Sequence, residues 1–321
     1  MPALLAILLV LMIGRTAAAA ETGLFVSRPG SPAGEYTSGI EGPAVDASGA
    51  LYVVNFRKTG TVGVLRPGAD RSELFLELPA GSIGNAIRFD ASGRMYVADY
   101  RGHTVFVVER GEATPRIHVR SDRFHQPNDL TVADDGTLYA SDPDWRHRAG
   151  QIWRITRGPD GNGRGEVMAS PRAMGTTNGI DLSPDGRTLY AGESGKREIW
   201  AYGLDGARLT APRLVRRFAD FDIDGLRTDI DGRLFVARIS KGTVAVLSPQ
   251  GDLIREIALN GREPTNLAFG GPDGRTVFVT QRQGGFIEAF RVERPGREYC
   301  LQLAATAGTA CALVMSPPRQ P

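Results

Sequence analysis

At 321 residues, with 38 basic and 36 acidic side chains scattered rather than clustered, the chain carries a formal charge of only +2. Binding driven by nucleic-acid phosphates is thereby excluded. The two cysteines, Cys300 and Cys311, lie near the end, and the four histidines at 103, 118, 125 and 147 show no ligand spacing, so the body of the chain offers neither a thiolate metal site nor a cysteine nucleophile.

The first predicted element is an apolar run from Ala3 to Ile13 followed by small residues ending at Ala20. It reads as a signal peptide over residues 1–20, which implies a periplasmic or secreted protein. Because Arg15 follows the apolar core instead of preceding it, an uncleaved anchor is the alternative, although a span takes about 20 apolar residues. No other stretch approaches that length. GLFVSR, residues 23–28, is a strand candidate outside any repeat.

Six related segments then follow: EGPAVDASGALYV from Glu41, NAIRFDASGRMYV from Asn85, NDLTVADDGTLYA from Asn128, NGIDLSPDGRTLY from Asn178, DGLRTDIDGRLFV from Asp224 and NLAFGGPDGRTVF from Asn266. Their turn glycines, 49, 93, 136, 186, 232 and 274, are 42 to 50 residues apart. Each unit continues into a further strand pattern such as HTVFVVER, GQIWRITR or REIWAYGL, with no convincing amphipathic helix. Repeats of this length built from short strands and Gly turns predict an all-β chain, a six-bladed β-propeller over residues 21–321. GLFVSR and the Cys300 to Cys311 segment compete to supply the strand that closes the last blade.

Register carries the functional information. In all six units the opening polar residue lies eight positions before the turn glycine. First strands line a propeller's central channel, so Glu41, Asn85, Asn128, Asn178, Asp224 and Asn266 are predicted to form a ring around the axis. Four of the seven asparagines in the chain fall in this ring, whereas the turns use Asp-Gly and Ser-Gly, which argues against Asn as a mere turn former. Amide and carboxylate oxygens with two negative charges suit one divalent cation. Ca²⁺ fits best, with Zn²⁺, Mg²⁺ and Mn²⁺ as alternatives. If Asn128 faces the channel, strand alternation turns Asp129 away, to anchor a loop or support the site from behind.

Taken together, these segments resemble the senescence marker protein/gluconolactonase family, six-bladed propellers that include regucalcin and, more distantly, diisopropyl fluorophosphatase and the paraoxonases. The resemblance runs through EGP at Glu41, GN at Asn85, QPNDL with SDPDW, TNGIDLSPDGRTLY, DGLRTDIDGRLFVA and PTNLAFGGPDGRTVFVT. It implies metal ligands at Glu41, Asn128, Asn178 and Asp224, with Asp224 also the general base or nucleophile. Asn85, Asn128 and Trp145 are the candidate substrate contacts. Departures fall on the substrate wall: Val45 and Asp46 follow EGP, Phe124, His125 and Gln126 lead into Asn128, and ASDPDWRHR replaces the family's loop.

Other sites are weaker. GESGK at residues 192–196 supplies no GxSxG elbow, PDGNGRG at 159–165 reads as a plain hairpin, and His125 and His147 read as surface residues. The expectation is an exported, monomeric, metal-dependent hydrolase of a lactone or related ester, acting on a small molecule. The alternatives are a non-catalytic propeller resembling NHL-repeat proteins, a phosphotriesterase-like hydrolase and a strictosidine-synthase-like enzyme. Export further implies a Cys300 to Cys311 bridge.

Overall fold

The computed structural model describes residues 23–307, and the expected signal peptide lies outside the described residues. Six four-stranded antiparallel sheets form a six-bladed β-propeller. Their innermost strands are Tyr36–Val45, Gly84–Phe89, Leu130–Val132, Thr177–Leu182, Leu226–Thr228 and Pro264–Gly270, defining blades one to six. Each turn glycine of the repeat adopts a left-handed φ, between +67° and +86°, and donates its N–H to the carbonyl three residues earlier. A side chain would be strained there, which is why glycine marks the period.

The core is distributed around the ring. Each blade seam holds its own apolar cluster: Val54 and Val97 meet between blades one and two, Ala98 and Leu138 between two and three, and Phe235 and Phe269 between five and six. Both faces of a blade are therefore buried, so its middle strands, such as Leu51–Phe56 and Thr104–Val108, read as near-continuous apolar runs. Blade six is closed by the N-terminal segment, where Arg28–Pro29 pairs with Phe286–Arg291. The competing C-terminal segment instead forms a helix, α1 (Arg297–Ala307), in place of the strand expected as an alternative closure. Among the described residues, no helix is long and apolar enough to cross a membrane. Cys300 on α1 is disulfide-bonded, while Cys311 lies outside the described residues.

α1 packs against the turn face of the propeller, opposite the predicted ring. Gln302 Nε2 donates to Val45 O at 2.6 Å and Arg297 donates to Val132 O at 2.8 Å, so the helix plugs that end of the channel. The channel above it is filled by charge. Arg88 and Arg227 reach Asp129 from blades two and five at 2.9 and 2.8 Å, and Asp181 accepts from Thr131 and Thr228 while facing Arg297 at 3.9 Å.

Asp129 thus points into the channel, contrary to the alternation argument. The reason is a β-bulge: Asn128 and Asp129 together oppose Ser141, with Asn128 N–H donating to Ser141 O and Ser141 N–H to Asp129 O, both at 2.9 Å. A bulge breaks the two-residue alternation and re-aims side chains. Asp224 and Gly225 oppose Ala237 in the same way, the inner-strand pairings of blades two, four and six each shift by a residue at the ring position, and that of blade one shifts on both sides of Glu41.

Candidate functional site

At the open end of the channel a cavity of about 330 Å³ is lined by Glu41, Asn85, Asn128, Asn178 and Asp224, five of the six ring residues, and by Trp145. Asn266 does not join them. It is only 1% exposed and its Oδ1 accepts from Leu267 N–H at 2.9 Å. Gly225 permits this depth, because a Cβ there would sit 2.2 Å from Asn266 Oδ1.

Close approach between blades recurs beneath the ring. Gly42, with φ +46°, brings blade one against Asn85 and Ala86, where a Cβ would lie 2.4 Å from Asn85 O. Gly179 does the same against Asp224 O and Leu226 N. Small residues directly after ring residues let neighbouring inner strands converge until their polar side chains share one volume.

A second set of polar residues holds the loops that enter the ring. Six positions after their turn glycines stand Asn55, Asp99, Asp142 and Arg238. Asn55 Nδ2 donates to Gly39 O at 2.6 Å, and Asp99 Oδ1 accepts from Ile83 N–H at 2.9 Å. Asp142 accepts from the N–H groups of His125 and Gln126 at 3.0 and 2.6 Å, and Arg238 donates to Asp220 O at 2.6 Å. Each clamps the chain just ahead of Glu41, Asn85, Asn128 or Asp224. Sequence reasoning missed them, although their fixed register was visible.

The electrostatics of the ring differ from those below it. Asp129 is met by two guanidiniums, whereas Glu41 and Asp224 have no ion-pair partner among the described residues; Arg282, at the cavity edge, pairs with Glu263 at 3.0 Å. Burial, together with the Asp224 charge, raises the Glu41 carboxyl well above its ordinary range, while Gly42 N–H pulls it down through a 2.6 Å hydrogen bond. Burial pushes Asp224 up to about 7 against the lowering effect of Asn178. Two converging carboxylates, their burial only partly offset by the Arg282 charge acting on Asp224, favour protonation or a cation.

The amides discriminate between those outcomes. Asn128 Oδ1 and Asn178 Oδ1 are buried without a hydrogen-bond partner. Orphaned buried acceptors are costly unless something positive meets them. Among the described residues no group of three or more His, Cys, Asp or Glu side chains could hold an ion, and this site is of another type, two carboxylates with two neutral amide oxygens. All-oxygen donors of mixed charge fit a hard divalent cation such as Ca²⁺.

The cavity wall adds residues the repeat did not reveal. Tyr100 and Trp145 stand on this wall, and Trp145 is 37% exposed at the rim. Neither His125 nor His147 lines the cavity; His147 Nδ1 lies 2.6 Å from Asp144 Oδ2 and holds that carboxyl below its ordinary range. PDGNGRG forms the turn between Ala149–Arg157 and Gly163–Val167, with Gly158 N–H donating to Asn162 O.

Residues 39–283 match the model of the SMP-30/gluconolactonase/LRE-like region. A gluconolactonase of Zymomonas mobilis is 27% identical over 232 residues, covering 63% of each chain. A 6-deoxy-6-sulfogluconolactonase of Pseudomonas putida is 32% identical over 172 residues, covering 47% of this chain and 57% of the relative. The chain therefore spans about three fifths of the length of these two relatives. Among solved structures, the calcium-binding protein regucalcin of Agrobacterium tumefaciens superposes with a TM-score of 0.68 at 20% identity, over 83% of this chain and 96% of that one. That likeness is one of fold.

Proposed function

The chain belongs to the SMP-30/gluconolactonase/LRE-like family, whose members include lactone hydrolases, and from that premise we propose that it is a metal-dependent hydrolase of a lactone or related ester. The observation that carries this reading is the pair of unpartnered amide oxygens, Asn128 Oδ1 and Asn178 Oδ1, beside two unpaired carboxylates on one cavity floor. Glu41, Asn128, Asn178 and Asp224 would hold the cation, Ca²⁺ by donor chemistry. When bound, a divalent cation supplies Lewis-acid polarisation of a carbonyl oxygen.

The chain's own residues do the rest. Asp224, partly open to the cavity, is placed to take the proton of an attacking water as general base; were it instead to attack the carbonyl carbon, water would have to protonate the ring oxygen and then hydrolyse the acyl-enzyme. Asn85 and Asn128 offer amide groups to the substrate, and Trp145 with Tyr100 forms one wall against it. Ring opening of a lactone leaves the leaving oxygen on the product, so it needs only a proton, which protonated Asp224 can return.

Export is part of the same proposal. The apolar run at 3–13 and the disulfide at Cys300 both suit an oxidising compartment. The test is a panel of sugar and simple lactones, with an organophosphorus ester as a separate arm, assayed with the purified protein before and after chelation. Lactone turnover lost on chelation and restored by Ca²⁺ is expected. Turnover indifferent to chelator would remove the metal from the reading, and inertness toward every lactone would favour the non-catalytic propeller.

A further inference from the structure

Asn178 poses a problem of orientation, because the two ends of a primary amide are nearly the same size and burial alone does not choose which faces the axis. Its side chain is buried, with Oδ1 unpartnered and Nδ2 donating to Ser194 Oγ at 3.0 Å. Ser194 belongs to the GESGK stretch, which fails as a nucleophile elbow. Its hydroxyl in turn donates to Ile223 O at 2.6 Å. A hydroxyl has one proton to give. With that proton committed to Ile223 O, Oγ can only accept, and it therefore selects the donor end of the amide.

We propose that Ser194 is the positioning residue of the cation site, fixing Asn178 with its oxygen toward the axis. The inference rests on the metal-centre reading above. The same hydroxyl joins two blades: Ile223 immediately precedes Asp224, so the Nδ2–Oγ–O relay ties the ligand of blade four to the backbone that delivers the ligand of blade five. Ser194 is itself held in place. Its N–H donates to Thr176 O at 3.1 Å, Gly195 N–H donates to Thr176 Oγ1 at 3.0 Å, and the one-turn 3-10 helix Ser194–Lys196 starts there. Without the hydroxyl, only the Asp224 carboxylate, itself a ligand of the cation, is left to hold the donor end of the amide, and partners that orient ligands typically govern metal affinity.

The test is calorimetric titration of Ca²⁺ into the metal-free full chain and its variants. Ser194→Ala is expected to weaken binding about 10- to 100-fold, the usual effect of losing an outer hydrogen-bond partner, and Ser194→Thr, which keeps Oγ, to stay within about threefold of wild type. The decisive background is Asn178→Asp, whose carboxylate accepts at both ends and needs no orienting; there the added Ser194→Ala should cost less than about threefold. Should Ser194→Ala fail to fold, Ser194→Cys, similar in size with weak hydrogen bonding, is expected to fall between the Ala and Thr variants. Wild-type affinity in Ser194→Ala, or a loss of the same size whether or not Asn178→Asp is also present, would overturn the inference. If the wild-type chain binds no divalent cation, the metal centre falls and this inference with it.

Discussion

Replacing Gly42 with Ala tests whether blade convergence builds the site. Two costs add at this position. The residue holds φ +46°, a left-handed conformation that costs a residue with a Cβ about 1–2 kcal/mol. The new methyl would also sit 2.3 Å from Ala86 Cα and 2.4 Å from Asn85 O. Those are backbone atoms of the next inner strand, so the seam must open, an overpacking cost of about 1–3 kcal/mol. The total is about 2–5 kcal/mol. Gly136→Ala provides the control, because its φ of +84° carries the conformational cost while nothing lies within 4 Å of its Cβ position. Urea unfolding of both variants, followed by tryptophan fluorescence, should place Gly42→Ala below Gly136→Ala by at least about 1 kcal/mol. Cation affinity should fall only in Gly42→Ala, since Glu41 Oε2 accepts from the Gly42 N–H. Equal stability and affinity in the two variants would refute the convergence argument.

Asp224→Asn keeps an oxygen for the cation but removes the base, so turnover should drop by about 10² or more with a modest loss of affinity in metal titrations. Glu41→Gln should instead raise the Ca²⁺ concentration needed for activity while leaving appreciable turnover at saturation; the reverse pattern would exchange their roles. Because burial raises Asp224 from 3.8 to about 7, the metal-free folded chain holds a proton there that the unfolded chain releases, so its stability should fall as pH rises from about 4 to 7. Ca²⁺ binding should strengthen over the same window as the proton is expelled, and urea midpoints with and without Ca²⁺ at several pH values would expose the opposite trend. Arg227→Met leaves the buried Asp129 with one of its two guanidiniums and should cost about 3–5 kcal/mol by urea unfolding.

Much of the architecture was legible because a propeller repeats its solution six times. Glycines that must take left-handed turns recur at Gly49, Gly93, Gly136, Gly186, Gly232 and Gly274, and the polar residue eight positions earlier marks a common place in each blade. That register alone brought Glu41, Asn85, Asn128, Asn178 and Asp224 to one cavity. Asn266 shares the spacing yet lies deeper, because Gly225 beside it lacks the Cβ that would hold it up. Ser194 could not be found this way, since its partners, Asn178 and Ile223, belong to different blades.

The sequence by itself therefore determined the blade count, the turns and the candidate ring, all of which depend on local conformation and period. Tertiary structure alone decided what filled the channel and which strand closed the circle. Asp129 is the clearest case. Strand alternation sends it outward, but a bulge opposite Ser141 turns it inward to Arg88 and Arg227, and whether two such guanidiniums are within reach is settled only when blades two and five meet around the axis. The same holds for Arg28–Pro29, whose pairing with Phe286–Arg291 joins opposite ends of the chain. Local pattern carries no information about a contact between segments so far apart, because that contact exists only once ring closure has brought their backbone hydrogen bonds into register.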